Sequence, residues 1–470
     1  MNPVAIIGGG ITGLTAAFRL SRSRVPVTLY EAGNRVGGPM RTIHENGYLS
    51  EYGPNTILET SPKITSLISD LGLEQRRLDS NPAMNKNYIV RNGKMRRLPL
   101  TPISFAASPL FSIPSKLRIG CEPFIRAKPE TEDESLADFV MRRLGKEFLD
   151  YAIDPFVAGV YAGSPENLSV RYGFPKLKAL EDEYNSIILG AVLGARKRKK
   201  RAETEKSKAK KISFDEGLQV LPDTLHSKLG QAVALCCQVT RLRQTADGWL
   251  VTFNEHGREK QRRHSALILA APAYKIAQIQ LEAEEPADFS LLKEIVHPPV
   301  ARIVMGFRRE DVTDPLNGFG FLVPKVENLN ILGTTFSSSL FANRAPEGHV
   351  LLTTFIGGCR QPELATRPAE NLFDLTLCDL RRILGIRGKP TYLHHCLFPQ
   401  AIPQYHVGHK RFIDFMNATE TRFSGLFFAG SYREGISAGN CIVSGHDVAG
   451  RIAQFLAASS HRPLLQAISP

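Results

Sequence analysis

Val4-Ala5-Ile6-Ile7-Gly8-Gly9-Gly10-Ile11-Thr12-Gly13 is the stretch that decides how the chain reads. Four apolar residues run straight into a glycine turn. Leu14, Ala16, Ala17, Phe18 and Leu20 then recur at helical spacing. The pattern predicts strand, tight turn, helix. Gly8, Gly10 and Gly13 fit the G-x-G-x-x-G dinucleotide fingerprint. The first glycine permits the turn, the second lets backbone approach a pyrophosphate, and the third lets helix and sheet pack closely. The helix N-terminus, opened by Ile11 and Thr12, offers unpaired N–H groups to phosphate. Val25-Pro26-Val27-Thr28-Leu29-Tyr30 reads as a second strand, closed by Glu31, 18 residues after Gly13. An acid there binds an unphosphorylated ribose, as in FAD or NAD.

Moving outward, Arg35-Val36-Gly37-Gly38-Pro39-Met40-Arg41-Thr42 follows. Paired glycines bring N–H groups beside phosphate oxygens, and Arg35 or Arg41 adds charge-assisted contacts. Glu31 with this R-x-G-G-x-x-x-T run resembles the FAD signature of the flavin amine oxidase superfamily, an extension that NAD dehydrogenases lack. The resemblance implies FAD as cofactor, with Ala32 in the same turn. It carries Gly53-Pro54-Asn55 near the flavin ring and Val239 to the adenine through its backbone. It also carries Gly430, Ile436, Ser437 and Ala438 to a helix start facing the ring and a phosphate.

Length and composition bound the rest. The 470 residues suffice for two or three domains. Hydrophobic and charged contents of 43% and 22% are ordinary for a globular protein. The net charge of +13 is uneven, because residues 196–211 hold ten basic residues against Glu203 and Glu205. That run reads as a solvated loop, with contact to anionic lipid or nucleic acid as weaker alternatives. No aromatic platform or DNA-binding motif accompanies it, so no nucleic-acid partner is expected. Seven cysteines show neither zinc spacing nor a disulfide framework. No apolar run is long enough to span a bilayer, and the chain enters its first strand at once. A cytoplasmic or peripheral protein is expected, on the inner membrane face if peripheral, and no metal.

Ser61 to Leu71 predicts a helix capped by Ser61-Pro62 and ended at Gly72. Tyr88–Val90, Asn92-Gly93 and Met95–Leu98 predict a hairpin. After Pro99 the pattern turns helical, with helices expected over Ser135–Leu144 and Glu147–Ile153. Phe105, Leu110 and Phe111 lie in its proline-broken front. They form either a membrane-docking face or an internal core hairpin. Strands are expected at Trp249–Phe253, Ala266–Ala270, Val300–Phe307, Gly320–Val323, Ile331–Thr335, Val350–Phe355 and Leu426–Ala429, making the block after 287 β-rich.

The segment Asp154-Pro155-Phe156-Val157-Ala158-Gly159-Val160-Tyr161-Ala162-Gly163-Ser164-Pro165 resembles one branch of that superfamily, the oxygen-dependent protoporphyrinogen and coproporphyrinogen oxidases of haem synthesis. Gly318-Phe319-Gly320-Phe321-Leu322-Val323-Pro324 and Pro403-Gln404-Tyr405-His406-Val407-Gly408-His409 match the same branch. His406 and His409 read as structural. The resemblance implies six-electron oxidation of a porphyrinogen, with hydride passing to flavin N5, oxygen consumed and peroxide released. No catalytic side chain is assigned. Phe319 and Leu322 are expected to line the tetrapyrrole slot with Gly163, and one of Phe336 or Phe341 to stack on a pyrrole. Animal and plant relatives carry an arginine in the hairpin strand that pairs with a propionate. Here the position is Asn87, beside Lys86, so substrate choice between the two porphyrinogens stays open. An amine or amino-acid oxidase and a non-catalytic escort protein of the same fold are the alternatives. Hand-off to a ferrochelatase is a pathway inference.

The expected architecture is α/β with α+β. A Rossmann-like FAD-binding domain is built from segments 1–85, 213–286 and 411–460. A mixed-sheet substrate domain takes 86–98 and 287–410. A helical, membrane-associating insertion takes 99–212, and 461–470 is a tail.

Overall fold

The computed structural model describes residues 2–128, 133–194, 209–283 and 288–460. Most of the basic run and the tail 461–470 lie outside the described residues. The expected elements Val4–Ile7, Ile11–Arg22 and Val27–Tyr30 form in order. Their strands join a five-stranded sheet that is parallel throughout, ordered Val233–Ala234, Val27–Tyr30, Val4–Ile7, Leu267–Leu269, Leu426–Phe428. Both faces are covered, so its strands are apolar runs without polar alternation. Val4 and Ile6 pack with Leu14, Leu225 and Ile452 on one side. Ala5 and Ile7 pack with Trp249, Phe289 and Met416 on the other. Three distant segments thus complete one sheet.

A second sheet of seven strands runs Tyr392–Phe398, Val300–Arg308, His349–Gly357, Ile331–Phe336, Gly320–Leu322, Asn87–Arg91, Lys94–Arg97. The hairpin turns at Asn92 and Gly93, whose φ values of 53° and 68° suit a two-residue turn. One face of this sheet buries Ile303, Met305, Phe321, Phe336 and Leu352 under the helix Ala369–Leu384. That helix and the strand Tyr392–Phe398 modify the β-rich expectation. The strand Arg258–His264 lies outside the expected set, because its exposed polar residues carry no apolar alternation.

Between the sheet units lie short helices. Leu136–Arg143 starts at a Ser135 cap, as expected. The helix expected over Glu147–Ile153 instead widens into a π-turn, Leu149–Ile153, before Asp154–Tyr161. Pro155 has no N–H to continue the regular ladder, and the register opens there. Leu110 and Phe111 are buried against Ile89 and Phe148, so for these two the core alternative holds and not the docking face. The strand Lys211–Phe214 pairs with Ile57–Leu58 and Arg77–Asp79, so ordered sheet begins just before the boundary drawn at 212. No described helix is long and apolar enough to cross a membrane.

Candidate functional site

The glycine loop is built by close approach. Gly8 holds φ +113°, and a Cβ there would meet the Ala271 amide nitrogen at 2.7 Å. A Cβ on Gly13 would sit 2.0 Å from the Gly8 carbonyl oxygen. Gly10 differs, since its Cβ position has no heavy atom within 4 Å. The loop is therefore tight below and open above. The second glycine pair folds onto it. Gly37 donates its N–H to Gly9 O at 2.8 Å, and Gly38 faces only the Gly10 Cα, 3.8 Å from its Cβ position. Arg35 donates to Val36 O and Gly38 O at 3.0 and 2.6 Å, so it braces the turn. Arg41 is exposed, its guanidinium 5.7 Å from the Tyr52 ring.

Glu31 accepts the N–H groups of Gly9 and Gly33, both at 2.7 Å, and carboxylate lone pairs remain for a hydroxyl pair. Ala32 is exposed beside it. Ile11, Thr12 and Gly13 open the helix, and the first helical bond runs from Leu14 N to Gly10 O. The earlier N–H groups have no helical acceptor. A Cβ on Gly53 would lie 2.4 Å from Pro39 O, so the half-buried Gly53-Pro54-Asn55 turn rests on this cradle. Val239 is buried at a bulge of its strand, two residues after the Cys237 N–H bonds Glu31 O at 2.8 Å. From the far end, Gly430 donates to Ser444 Oγ at 3.0 Å. Ser437 Oγ accepts Asn440 N–H at 3.1 Å and caps Ala438–Ser460. That helix crosses the first, with the Gly445 Cβ position 2.4 Å from Thr12 O. A flat dinucleotide fits this open cradle, which offers free N–H groups on one side and a carboxylate at its edge.

The second group of predicted residues is less uniform. Asn87 and Ile89 share one face of the hairpin strand, and Leu322 packs with Ile89. Leu322 also nests against Gly159, whose Cβ position lies 2.3 Å from Leu322 Cδ2. Phe319 is half-buried and accepts Phe336 N–H through its carbonyl at 2.9 Å. Gly163 is spent on packing, its Cβ position 2.4 Å from Gln404 Oε1. Phe336 has no exposed surface and lies 6.0 Å, ring to ring, from Phe321 in the core under the long helix. Strand alternation turns it away from any slot, which corrects its stacking role. Phe341 is 4% exposed, its ring 5.0 Å from the Arg344 guanidinium, so it presents no open face either. His409 is buried between Tyr405 and Phe412, and burial pushes its pKa down to about 4.

Residues 11–453 match the flavin-containing amine oxidoreductase family. The chain belongs to this family. As a flavin-containing oxidoreductase it takes FAD, in agreement with the cradle. Its similarity to curated members runs nearly end to end. Protoporphyrinogen oxidase 2 of Arabidopsis thaliana is 34% identical, over 97% of this chain and 95% of that protein. Coproporphyrinogen III oxidase of Bacillus subtilis is 30% identical, over 94% and 96%. Among solved structures, the cyclohexylamine oxidase of Brevibacterium oxydans shares the fold at 17% identity, with a TM-score of 0.71 and coverage of 97% and 99%.

Two residues of this flavoenzyme escaped the sequence reading. Tyr405 donates to Ser431 O at 2.5 Å and accepts Gly435 N–H at 2.8 Å, gripping the loop that leads to Ile436. Its own carbonyl takes Ser169 N–H, and Ile436 packs on the insertion core. Arg302 is wholly buried on the sheet face that meets the FAD unit. Its guanidinium lies 5.9 Å from the Tyr52 ring and 3.3 Å from His394 Nδ1. Its Nε and Nη1 have no hydrogen-bond partner among the described residues. Burial pushes its pKa down to about 10. Tyr405 stands within the Pro403–His409 motif, but nothing there marks its role, and nothing local marks Arg302, since both act through strands or loops far away in sequence.

Proposed function

We propose that this flavoenzyme oxidises a porphyrinogen to the porphyrin. The observation that carries the reading is end-to-end similarity at 30–34% to porphyrinogen oxidases, against 17% to an amine oxidase of the same fold. Six electrons and six protons leave the macrocycle in three two-electron rounds. Each round reduces one molecule of oxygen to hydrogen peroxide. Bound FAD supplies the two-electron acceptor. Gly10, Thr12, Gly38 and Arg41 bind its pyrophosphate, Glu31 its ribose, and residues 53–55 and 436–438 its ring. Leu322 and Phe319 wall an apolar slot that orients the macrocycle edge and excludes water. Tyr405 holds the ring-facing loop against the insertion. No side chain is asked to move a proton, because carbon acids beside pyrroles lose theirs by tautomerisation. Metal insertion is the next chemical use of the product, which makes a ferrochelatase the natural recipient.

We further propose that the insertion docks on the inner membrane surface. Its support is not Leu110 or Phe111 but their neighbours. Leu100, Ile103, Ile113, Leu117 and Phe124 are exposed, Ile103 at 85% and Phe124 at 89%. Ile113 and Leu117 are one turn apart, and Arg118 follows. Co-sedimentation with anionic vesicles, lost in Ile103→Glu/Phe124→Glu, tests this. Retention by the double variant would sink it.

The activity test mixes the purified protein in air with coproporphyrinogen III or protoporphyrinogen IX and follows porphyrin fluorescence above the autoxidation blank. Acceleration with either is expected, and the ratio ranks the two. A protein that holds FAD yet accelerates neither overturns the reading.

A further inference from the structure

The strand Asn87–Arg91 points Asn87, Ile89 and Arg91 to the face that holds Leu322. Asn87 is neutral. Arg91 is taken by Glu147 at 2.6 Å. Lys86 lies on the opposite face with Tyr88, and both bond to Asn317. Arg302 is fully buried. None of these offers a cation to an acidic ligand beside Phe319.

Lys211 does. It opens the strand Lys211–Phe214 and pairs in register with Leu58. The Leu58 carbonyl oxygen lies 2.8 Å from the Gly439 Cβ position, at the start of the helix that Ser437 caps. From there the lysine reaches toward the second sheet. Its Nζ donates to Asn85 Oδ1 at 2.6 Å and stands 5.4 Å from the centre of the Phe319 ring. No carboxylate pairs with it among the described residues. Two of its three N–H donors remain for a ligand. It is half-buried, and burial alone holds its pKa below the usual lysine value. A desolvated cation without an anion beside an aromatic wall is what a carboxylate-bearing ligand would complete.

We propose that Lys211 pairs with a propionate carboxylate of the tetrapyrrole, so that it sets substrate affinity and orientation. The identity of the ligand rests on the proposed function. The test compares a porphyrinogen bearing free propionates with its methyl ester, in the wild type, Lys211→Met, Lys211→Arg and Lys86→Met.

In Lys211→Met, KM for the free acid is expected to rise on the order of tenfold, the worth of about one charge-assisted hydrogen bond. Its kcat changes little, and KM for the ester stays put. Lys211→Arg restores most of the affinity, and Lys86→Met matches the wild type. An equal shift for acid and ester, or none, overturns the assignment. If Lys211→Met yields no folded flavoprotein, the wild type decides. A preference for the acid that fades with ionic strength supports the pairing, and equal use of acid and ester overturns it. A wild type inert toward every porphyrinogen instead sinks the proposed function, an outcome distinct from an active wild type matched by Lys211→Met.

Discussion

The glycine loop of residues 8–13 and the ion cluster inside the helical insertion are both closely packed, yet they are secured by different physics. The glycine loop buries no formal charge. It is set by backbone approach, with the Gly13 Cβ position 2.0 Å from Gly8 O. The insertion buries Arg143, Glu122 and Glu181 completely. Arg143 donates to Glu181 Oε1 at 2.7 Å, to Glu122 Oε1 at 3.0 Å and to Ile125 O at 2.9 Å. Lys178 and Arg142 complete Glu181, and the Ile187 and Ile188 N–H groups complete Glu122. The first region depends on the absence of side-chain atoms. The second depends on every charge finding partners, since buried ions are tolerated only when bonded.

The insertion should therefore be the more fragile to a single change. Arg143→Met leaves the buried Glu122 without its cation and Glu181 with two of three, and is expected to cost about 3–5 kcal/mol. Urea unfolding measures it, and adding Glu122→Gln should recover part of the loss. A cost below about 1 kcal/mol would mean that the cluster is solvated, and the contrast with the cradle would disappear.

Within the cradle, two alanines separate packing from binding. Gly13→Ala forces a Cβ against backbone and is expected to cost about 1–3 kcal/mol along with the flavin. Gly10 has φ −69° and open space above it. Gly10→Ala should leave the flavin-free protein unchanged or up to about 1 kcal/mol more stable, while the isolated protein loses its yellow colour. Melting of the flavin-free forms and the visible absorbance per mole give both readouts. Full flavin in Gly10→Ala would move the cofactor off this loop.

The same contrast explains what was legible. The strand–glycine–helix run, the Ser61 cap and the Asn92-Gly93 turn are local devices, and each forms where its residues predict. The insertion's helices were legible as periodicity, but its ion cluster was not, because residues 122, 143 and 181 look like solvated charges one at a time. Phe336 was misread for a related reason. Its motif says that it is near the slot, while only strand alternation says which face it takes. Lys211 was hidden as the last of ten basic residues. The partners of its strand, Leu58 opposite Lys211 and Asp79 opposite Ile212, come from more than a hundred residues earlier.

Arg302 gives the sharpest version of the comparison, because it matches Arg143 in residue type and in zero exposure. The two differ only in partners. Arg143 meets two carboxylates, whereas Arg302 has one contact to His394 and two unpartnered nitrogens. His394 stays neutral, because burial and the Arg302 charge both hold its pKa down, so it provides no counter-ion. Removing a buried cation that no carboxylate bonds directly abolishes a desolvation cost, and the buried Glu51, which feels its charge, keeps Arg344 at 3.2 Å. Arg302→Met is thus expected to change the stability of the flavin-free protein by less than about 1 kcal/mol, with the sign toward stabilisation. Denaturant unfolding without and with saturating FAD checks this. If the cofactor supplies the missing negative charge, FAD stabilises the wild type more than the variant. A loss in the flavin-free variant as large as that of Arg143→Met would show that burial alone, and not pairing, decides what an arginine is worth here.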